Sequence, residues 1–111
     1  MNDVEIFRGD SAVLNVLVAN IVGAAFDLTG TTEITFTMRQ LETGAILLQK
    51  TLGTGVTITP PVTAGIFTVA IAPTDTESLA GVKIYDIEVE ISGEVYTVVK
   101  ATVTITEDVT L

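Results

Sequence analysis

The stretch IYDIEVEISGEVYTVV, residues 84–99, decides the fold because apolar and polar residues alternate on both sides of a two-residue turn. An alternation of period two is typical of a strand with one buried face. Ser92-Gly93 supplies the turn that reverses the chain. The stretch therefore predicts an antiparallel hairpin. Its core-facing residues are predicted to be Tyr85, Ile87, Val89 and Ile91 on the first strand, and Val95, Val99, Ala101, Val103 and Ile105 on the second.

The same period recurs along the rest of the chain. EITFTMRQ (33–40) places Ile34, Phe36 and Met38 on one face, and GIFTVAIA (65–72) does the same for Phe67, Val69 and Ile71. DVEIF, AVLNVLVA, AILLQKT and GVTIT read as further strands. The only predicted helix is one turn in PTDTESLAG, where Thr74 and Glu77 have the spacing of a capping box.

These strand signals predict an all-β fold. Roughly seven to nine short strands with frequent turns and no long helix are typical of a two-sheet antiparallel β-sandwich of immunoglobulin-like type. The length favours a single domain over residues 1–111.

Composition excludes several classes of function. The chain has no Cys and no His, which excludes thiol nucleophiles, imidazole bases and the usual zinc ligands. Its net charge of -9 repels nucleic acids and anionic membranes. No basic N-terminal region precedes an apolar run, and no apolar run is long enough to cross a bilayer. We expect no enzyme, no cofactor, no nucleic-acid partner, no signal peptide and no membrane span.

The balance of apolar and charged residues suggests a surface that is partly covered by other proteins. Hydrophobic residues make up 48% of the chain and charged residues only 17%, below the roughly 25% of an ordinary domain. Thr fills many polar positions, and it favours strands without bringing a strongly hydrated charge to a contact. We therefore expect an oligomer or a part of a symmetric assembly.

Asp86, Glu88 and Glu90 are the candidate metal ligands, because they project from one strand face at steps of about 7 Å. Calcium prefers such carboxylates, but it also needs a loop that brings six or more oxygens together. Asp75 and Glu77 are candidate additional ligands. Catalysis would need an apolar pocket that raises one carboxyl pKa, which a flat strand face lacks. The favoured interpretation is a solvated or partner-facing surface without bound metal.

Two other motifs have structural explanations. Arg8, Gly9 and Asp10 form an RGD sequence, but they fall where a turn between two strands is needed. Alternation turns Tyr96 outward in the last hairpin, yet the chain has no Trp and only 5% aromatic residues, which disfavours sugar binding.

Four segments together resemble a known family: FRGDSAVLNVLV (7–18), FDLTGTTEITFTMR (26–39), GIFTVAIAPTDTESLAG (65–81) and YDIEVEISGEVYTVVKATVTITEDVT (85–110). In this order they are similar to the N-terminal domain of phage baseplate upper proteins and to related small immunoglobulin-like phage virion proteins. The sequence departs from that pattern at Ala101, where Gly is common, and in VKIYD (82–86), where a Pro-Gly-x-Tyr corner is usual.

The resemblance implies a non-enzymatic virion structural protein that is assembled in the bacterial host cytoplasm. It would act as an assembly or adaptor subunit in the tail or baseplate, or as a capsid decoration protein, with other virion proteins and copies of itself as partners. The expected contact surfaces are Thr-rich faces, edge strands, and arms at Met1 to Phe7 or Thr106 to Leu111. The alternative is an extracellular or cell-surface adhesion module of the same fold, with or without calcium.

Overall fold

The computed structural model describes residues 4–18, 27–40, 44–77 and 79–106. These residues form an all-β fold with a 3-10 turn at Val62–Ala64 and one helical turn, α1, at Pro73–Thr76. The eight strands are β1 (Val4–Phe7), β2 (Ala12–Leu17), β3 (Thr31–Arg39), β4 (Ile46–Leu52), β5 (Gly55–Ile58), β6 (Ile66–Ile71), β7 (Gly81–Ile91) and β8 (Glu94–Thr106). The all-β prediction and its strand number are confirmed.

The strands form one continuous sheet in the order β1-β8-β7-β3-β4-β5-β6-β2, which differs from the predicted pair of separate antiparallel sheets. Two of the pairings, β1 with β8 and β4 with β5, are parallel. The β4–β5 pairing covers only two residue pairs, Thr51 with Gly55 and Leu52 with Val56. This short pairing forms the corner that joins β1, β8, β7, β3 and β4 to β5, β6 and β2, so the sheet is continuous there.

A short turn makes the sheet curl into a nearly closed barrel. β1 and β2 lie at opposite ends of the strand order, yet only residues 8–11 connect them. Five Cα–Cα steps from Phe7 to Ala12 span at most about 18 Å, so the two ends of the sheet must approach each other. The backbone N–H of Asp10 donates to the Phe7 carbonyl at 3.1 Å, and that of Gly9 donates to Thr76 Oγ1 at 2.9 Å. Gly9 has φ +81°, which a tight turn at this position requires.

The barrel interior holds the predicted core. Ile34, Phe36 and Met38 are buried, as are Phe67, Val69 and Ile71 and the β7 residues Tyr85, Ile87 and Val89. The rings of Phe36 and Tyr85 pack at 5.4 Å between centroids. The return strand contributes Val99, Val103 and Ile105. The Ser92-Gly93 turn has φ of +52° and +85°, which fits a tight hairpin.

A β-bulge makes the prediction for Val95 wrong. The β7–β8 register shifts after Ile87, which pairs with Val99, because Glu88 pairs with Thr97. One additional residue on β8 reverses the alternation toward the hairpin tip. Val95 consequently pairs with Glu90 and is 59% exposed.

The predicted arms differ in part from the structure. Residues Val4 to Phe7 pair with Val103 to Thr106 of the same chain, and Ile6 is buried. These segments therefore belong to the fold, and deleting Met1 to Glu5 would remove half of β1. Residues 1–3 and 107–111 lie outside the described residues.

The corner after β6 is held by Asp75 and Thr76. Asp75 Oδ2 accepts the backbone N–H of Ala72 at 2.7 Å and pairs with Lys50 Nζ on β4 at 2.8 Å. The helical turn was predicted, with Thr74 and Glu77 as its capping box. In the structure the N-cap is Ala72, and Asp75 accepts its backbone N–H in place of Glu77. Burial of Asp75 raises its pKa, but the Lys50 ammonium and the Ala72 N–H outweigh burial and leave the pKa below its usual value.

Candidate interaction surfaces

The three candidate metal ligands lie on the outer side of β7, each in a different cross-strand row. Asp86 and Glu90 are half-buried and Glu88 is exposed. Their partners on β3 are Thr37, Thr35 and Glu33, and their partners on β8 are Lys100, Thr97 and Val95. The outward side chains of β3, β7 and β8 are called the acidic face.

Neighbouring groups already use part of the acidic face. Glu33 Oε1 accepts the backbone N–H groups of Ile34 at 3.1 Å and Leu52 at 3.0 Å, so this carboxylate closes the end of the β3–β4 ladder. Within the described ranges, no group of three or more His, Cys, Asp or Glu side chains is placed to hold a metal ion. Of the two additional candidates, Asp75 is paired with Lys50, and Glu77 is exposed at the C-terminal end of α1. The geometry favours a solvated acidic surface.

The opposite side of the barrel is formed by β2, β6 and β5, and its outward side chains carry no charge. Cross-strand pairs connect Val13 with Ala70, Leu17 with Ile66, and Asn15 with Thr68, which pairs in turn with Thr57. These seven outward residues are called the uncharged face. Val13 is 59% exposed and Leu17 68% exposed. The sequence has no charged residue from Ser11 to Phe26 or from Thr51 to Thr74.

The free edge of β2 borders the uncharged face. The backbone N–H of Val18 donates to the Gly65 carbonyl at 2.9 Å, which fixes the direction of hydrogen bonding along β2. Backbone groups of alternate residues point to opposite sides of a strand. Ala12, Leu14 and Val16 therefore bond to β6. Val13, Asn15 and Leu17 direct their N–H and C=O groups away from β6, and no other described strand pairs with β2.

Tyr96 does not occupy the outward position that alternation predicted. The bulge places it opposite Val89, on the core side of the hairpin end, where it is still 41% exposed. Its hydroxyl donates to Glu94 Oε1 at 2.9 Å. This hydrogen bond and the negative charge of Glu94 raise the pKa of the Tyr96 phenol. Tyr96 is therefore bound to its own hairpin and does not project from the acidic face.

The RGD sequence forms a structural turn, as its position predicted. The backbone N–H groups of Arg8, Gly9 and Asp10 donate to Thr106, Thr76 and Phe7 respectively. Arg8 is half-buried, and Gly9 and Asp10 are exposed. The turn's backbone hydrogen bonds account for its presence between β1 and β2.

No family model matches the chain, and no curated protein matches it. Among solved structures, the Lin-41 filamin domain is similar to it at 21% identity, covering 91% of this chain and 81% of that chain, with a TM-score of 0.45. None of the described helices has the length and apolar character needed to cross a membrane.

Proposed function

We propose that the chain is a non-enzymatic structural subunit of a bacteriophage particle, and that the uncharged face packs against neighbouring subunits. The observation that carries this proposal is the separation of charge between the two sides of the barrel. The acidic face carries the carboxylates of Glu33, Asp86, Glu88 and Glu90 together with Lys100 opposite Asp86, while the uncharged face carries no charged residue.

The proposal follows from the free energy of removing charges from water. Burying a carboxylate at a contact without a partner costs on the order of several kcal/mol, because the ion loses its hydration. Thr, Asn, Val and Leu side chains cost far less, and apolar ones gain free energy when covered. A chain of net charge -9 therefore packs most favourably through the side that has no carboxylates. The acidic face keeps the particle surface hydrated.

We propose further that the barrel is a distorted immunoglobulin-like sandwich. One layer would contain β1, β8, β7, β3 and β4, and the other β5, β6 and β2. The β4–β5 pairing, only two residue pairs long, supports this division, as does the absence of any β1–β2 pairing among the described strands.

The partners of the proposed subunit are other virion structural proteins and copies of itself, brought together in the bacterial host cytoplasm. Its place in the particle is the tail or baseplate, where it acts as an assembly or adaptor subunit, or the capsid, where it acts as a decoration protein. The four sequence segments that resemble phage virion proteins support this assignment.

Immunogold electron microscopy of particles from the producing host tests the proposal. Gold at the tail tip supports a baseplate or adaptor subunit, and gold over the head supports capsid decoration. Particles without gold, in a preparation where an antibody to a known virion protein labels well, would contradict the virion assignment. That result would favour the adhesion module.

A further inference from the structure

Among the described strands, β1 and β2 lie at the two ends of the sheet order, and they differ in length and in charge. β1 has four residues and includes Glu5, whose carboxylate accepts the Thr106 hydroxyl at 2.6 Å. β2 has six residues, none charged, with no Pro and no bulge in its pairing to β6. Natural edge strands usually carry a charge, a Pro or a bulge, because an unprotected edge pairs with other strands. β2 has none of these protections.

The sequence of β2 is symmetric about Asn15 on its exposed side. Val13 and Leu17 lie two residues before and after Asn15, and all three direct their backbone groups to the free edge. If a second β2 is placed antiparallel about a two-fold axis at Asn15, Val13 lies opposite Leu17 of the copy and Asn15 lies opposite Asn15. The apolar side chains then meet each other, and the two amides can bond across the axis.

We infer that β2 pairs with β2 of a second copy of this chain in an antiparallel, two-fold arrangement centred on Asn15. Each of the three residues contributes one N–H and one C=O to the copy, so the ladder is complete over its central part. The contact joins two uncharged faces into one wider surface and leaves both acidic faces in solvent. Because the copies each carry a charge of -9, this is the edge at which they approach with the least repulsion.

This inference rests on the proposed function in that it names the contact between copies of the subunit. It concerns the purified chain alone, so it is tested without phage particles. Dimers without virion labelling would leave the β2 contact intact and contradict the proposed function. Virion labelling of a chain that stays monomeric would do the reverse.

Single-cysteine variants test the register directly, because the chain has no native Cys. In the proposed dimer the Cα atoms of the two Asn15 residues lie about 5.5 Å apart, which a disulfide can bridge. Asn15→Cys should therefore form a covalent dimer under mild oxidation. Thr57→Cys is the matched control, since it is exposed on the same cross-strand row but lies about 24 Å from its copy across five strand spacings. It should form no covalent dimer.

A mixing experiment distinguishes this register from others. Val13→Cys and Leu17→Cys should cross-link when mixed and much less when oxidised separately, because Val13 faces Leu17 of the copy. Efficient cross-linking of Val13→Cys alone would indicate a different arrangement and contradict the inference. Equal cross-linking of Thr57→Cys and Asn15→Cys would indicate random collisions and also contradict it.

A backbone variant separates pairing from folding. Asn15→Pro removes an N–H that points away from β6, so the fold should remain while the dimer is lost. Sedimentation equilibrium should give twice 11.7 kDa for the native chain at high concentration and 11.7 kDa for the variant. A native chain that is monomeric at every concentration, or that captures a different protein's strand at β2 in place of its own copy, would overturn the inference. If Asn15→Pro does not fold, Asn15→Lys supplies the same test through two like charges at the axis.

Discussion

The acidic face and the uncharged face are built from the same kind of strand, yet they differ in what their outward residues can contact. Both faces enclose one core with the same inward alternation of apolar residues. The outward residues of β7 include Asp86, Glu88 and Glu90, whereas those of β2 are Val13, Asn15 and Leu17. The core explains the fold on both sides. Only the outward residues distinguish the surface that we propose stays in water from the one that we propose packs against protein.

The largest expected effect distinguishes the inward from the outward side of the strands that form the uncharged face. Phe67→Ala opens the core beneath the uncharged face and should lower the free energy of unfolding by about 3–5 kcal/mol. Leu17→Ala, on the outward side, should change it by less than about 0.5 kcal/mol. Urea denaturation at low protein concentration measures both. Similar losses for the two variants would show that Leu17 supports the fold and is not available for contact.

Gly55 is the next test, because it lies at the corner formed by the short β4–β5 pairing. Its φ is +103°, and an added Cβ would lie 2.8 Å from Lys50 Cδ. Gly55→Ala should therefore cost about 1–3 kcal/mol of unfolding free energy from backbone strain. Adding Lys50→Ala should relieve most of the contact but leave the backbone strain. The loss of unfolding free energy in the double variant should therefore be smaller than the sum of the losses in the two single variants. A Gly55→Ala variant as stable as the native chain would contradict the corner geometry.

The Lys50–Asp75 ion pair connects β4 with α1, the helical turn that follows β6. Asp75→Ala should lower stability by about 1 kcal/mol near neutral pH, and Asp75→Asn by less, because its amide oxygen still accepts the Ala72 N–H. The pKa of Asp75 is lowered by folding, so its contribution is present above about pH 4 and is lost as the pH falls through the folded-state value.

Thermal unfolding of the native and Asp75→Asn chains from pH 7 to pH 2 checks this sign. The two midpoints should differ most at neutral pH and converge in acid. A gap that widens below pH 4 would contradict the lowered pKa of Asp75.

The smallest expected effect belongs to the acidic face. Replacing Asp86, Glu88 and Glu90 with Asn, Gln and Gln should change the free energy of unfolding by less than about 0.5 kcal/mol, because these groups lie on an outer strand surface. Calcium should leave the unfolding midpoint of the native chain unchanged. A saturable rise in midpoint that the triple variant abolishes would instead assign metal binding to these carboxylates.

Local alternation predicted those parts of the fold that depend only on neighbouring residues. The three apolar sets around Phe36, Phe67 and Ile87 are buried as expected, because a strand with one inward face must repeat every two residues. The Ser92-Gly93 turn was also predicted from neighbouring residues alone, because a tight hairpin turn needs residues that adopt positive φ.

Features that depend on strand register and on tertiary contacts were not predicted. The additional residue in β8 shifts Val95 and Tyr96 to faces that alternation did not assign to them. Lys83 continues the inward series of β7 and is 6% exposed, with Nζ donating to Gln40 Oε1 at 2.7 Å. Its polarity concealed its position, since Lys is seldom buried unless its ammonium finds a partner.

The uncharged face did have a signal in the sequence. Two long stretches, Ser11 to Phe26 and Thr51 to Thr74, contain no charged residue, and together they include β2, β5 and β6. Their significance depends on strand order, which places these three strands side by side. Periodicity within each strand carries no information on that order.

One pair of variants tests the central claim, that the uncharged face is the contact surface, most directly. Val13 and Val95 are the same residue type, and each is 59% exposed, but Val13 lies on the uncharged face and Val95 lies beside Glu90 on the acidic face. The measurement is the amount of Val13→Asp and Val95→Asp protein incorporated into phage particles from the producing host, relative to the native chain. Val13→Asp should be strongly depleted, and Val95→Asp should be incorporated normally. Equal incorporation of the two variants, or depletion of Val95→Asp alone, would contradict it.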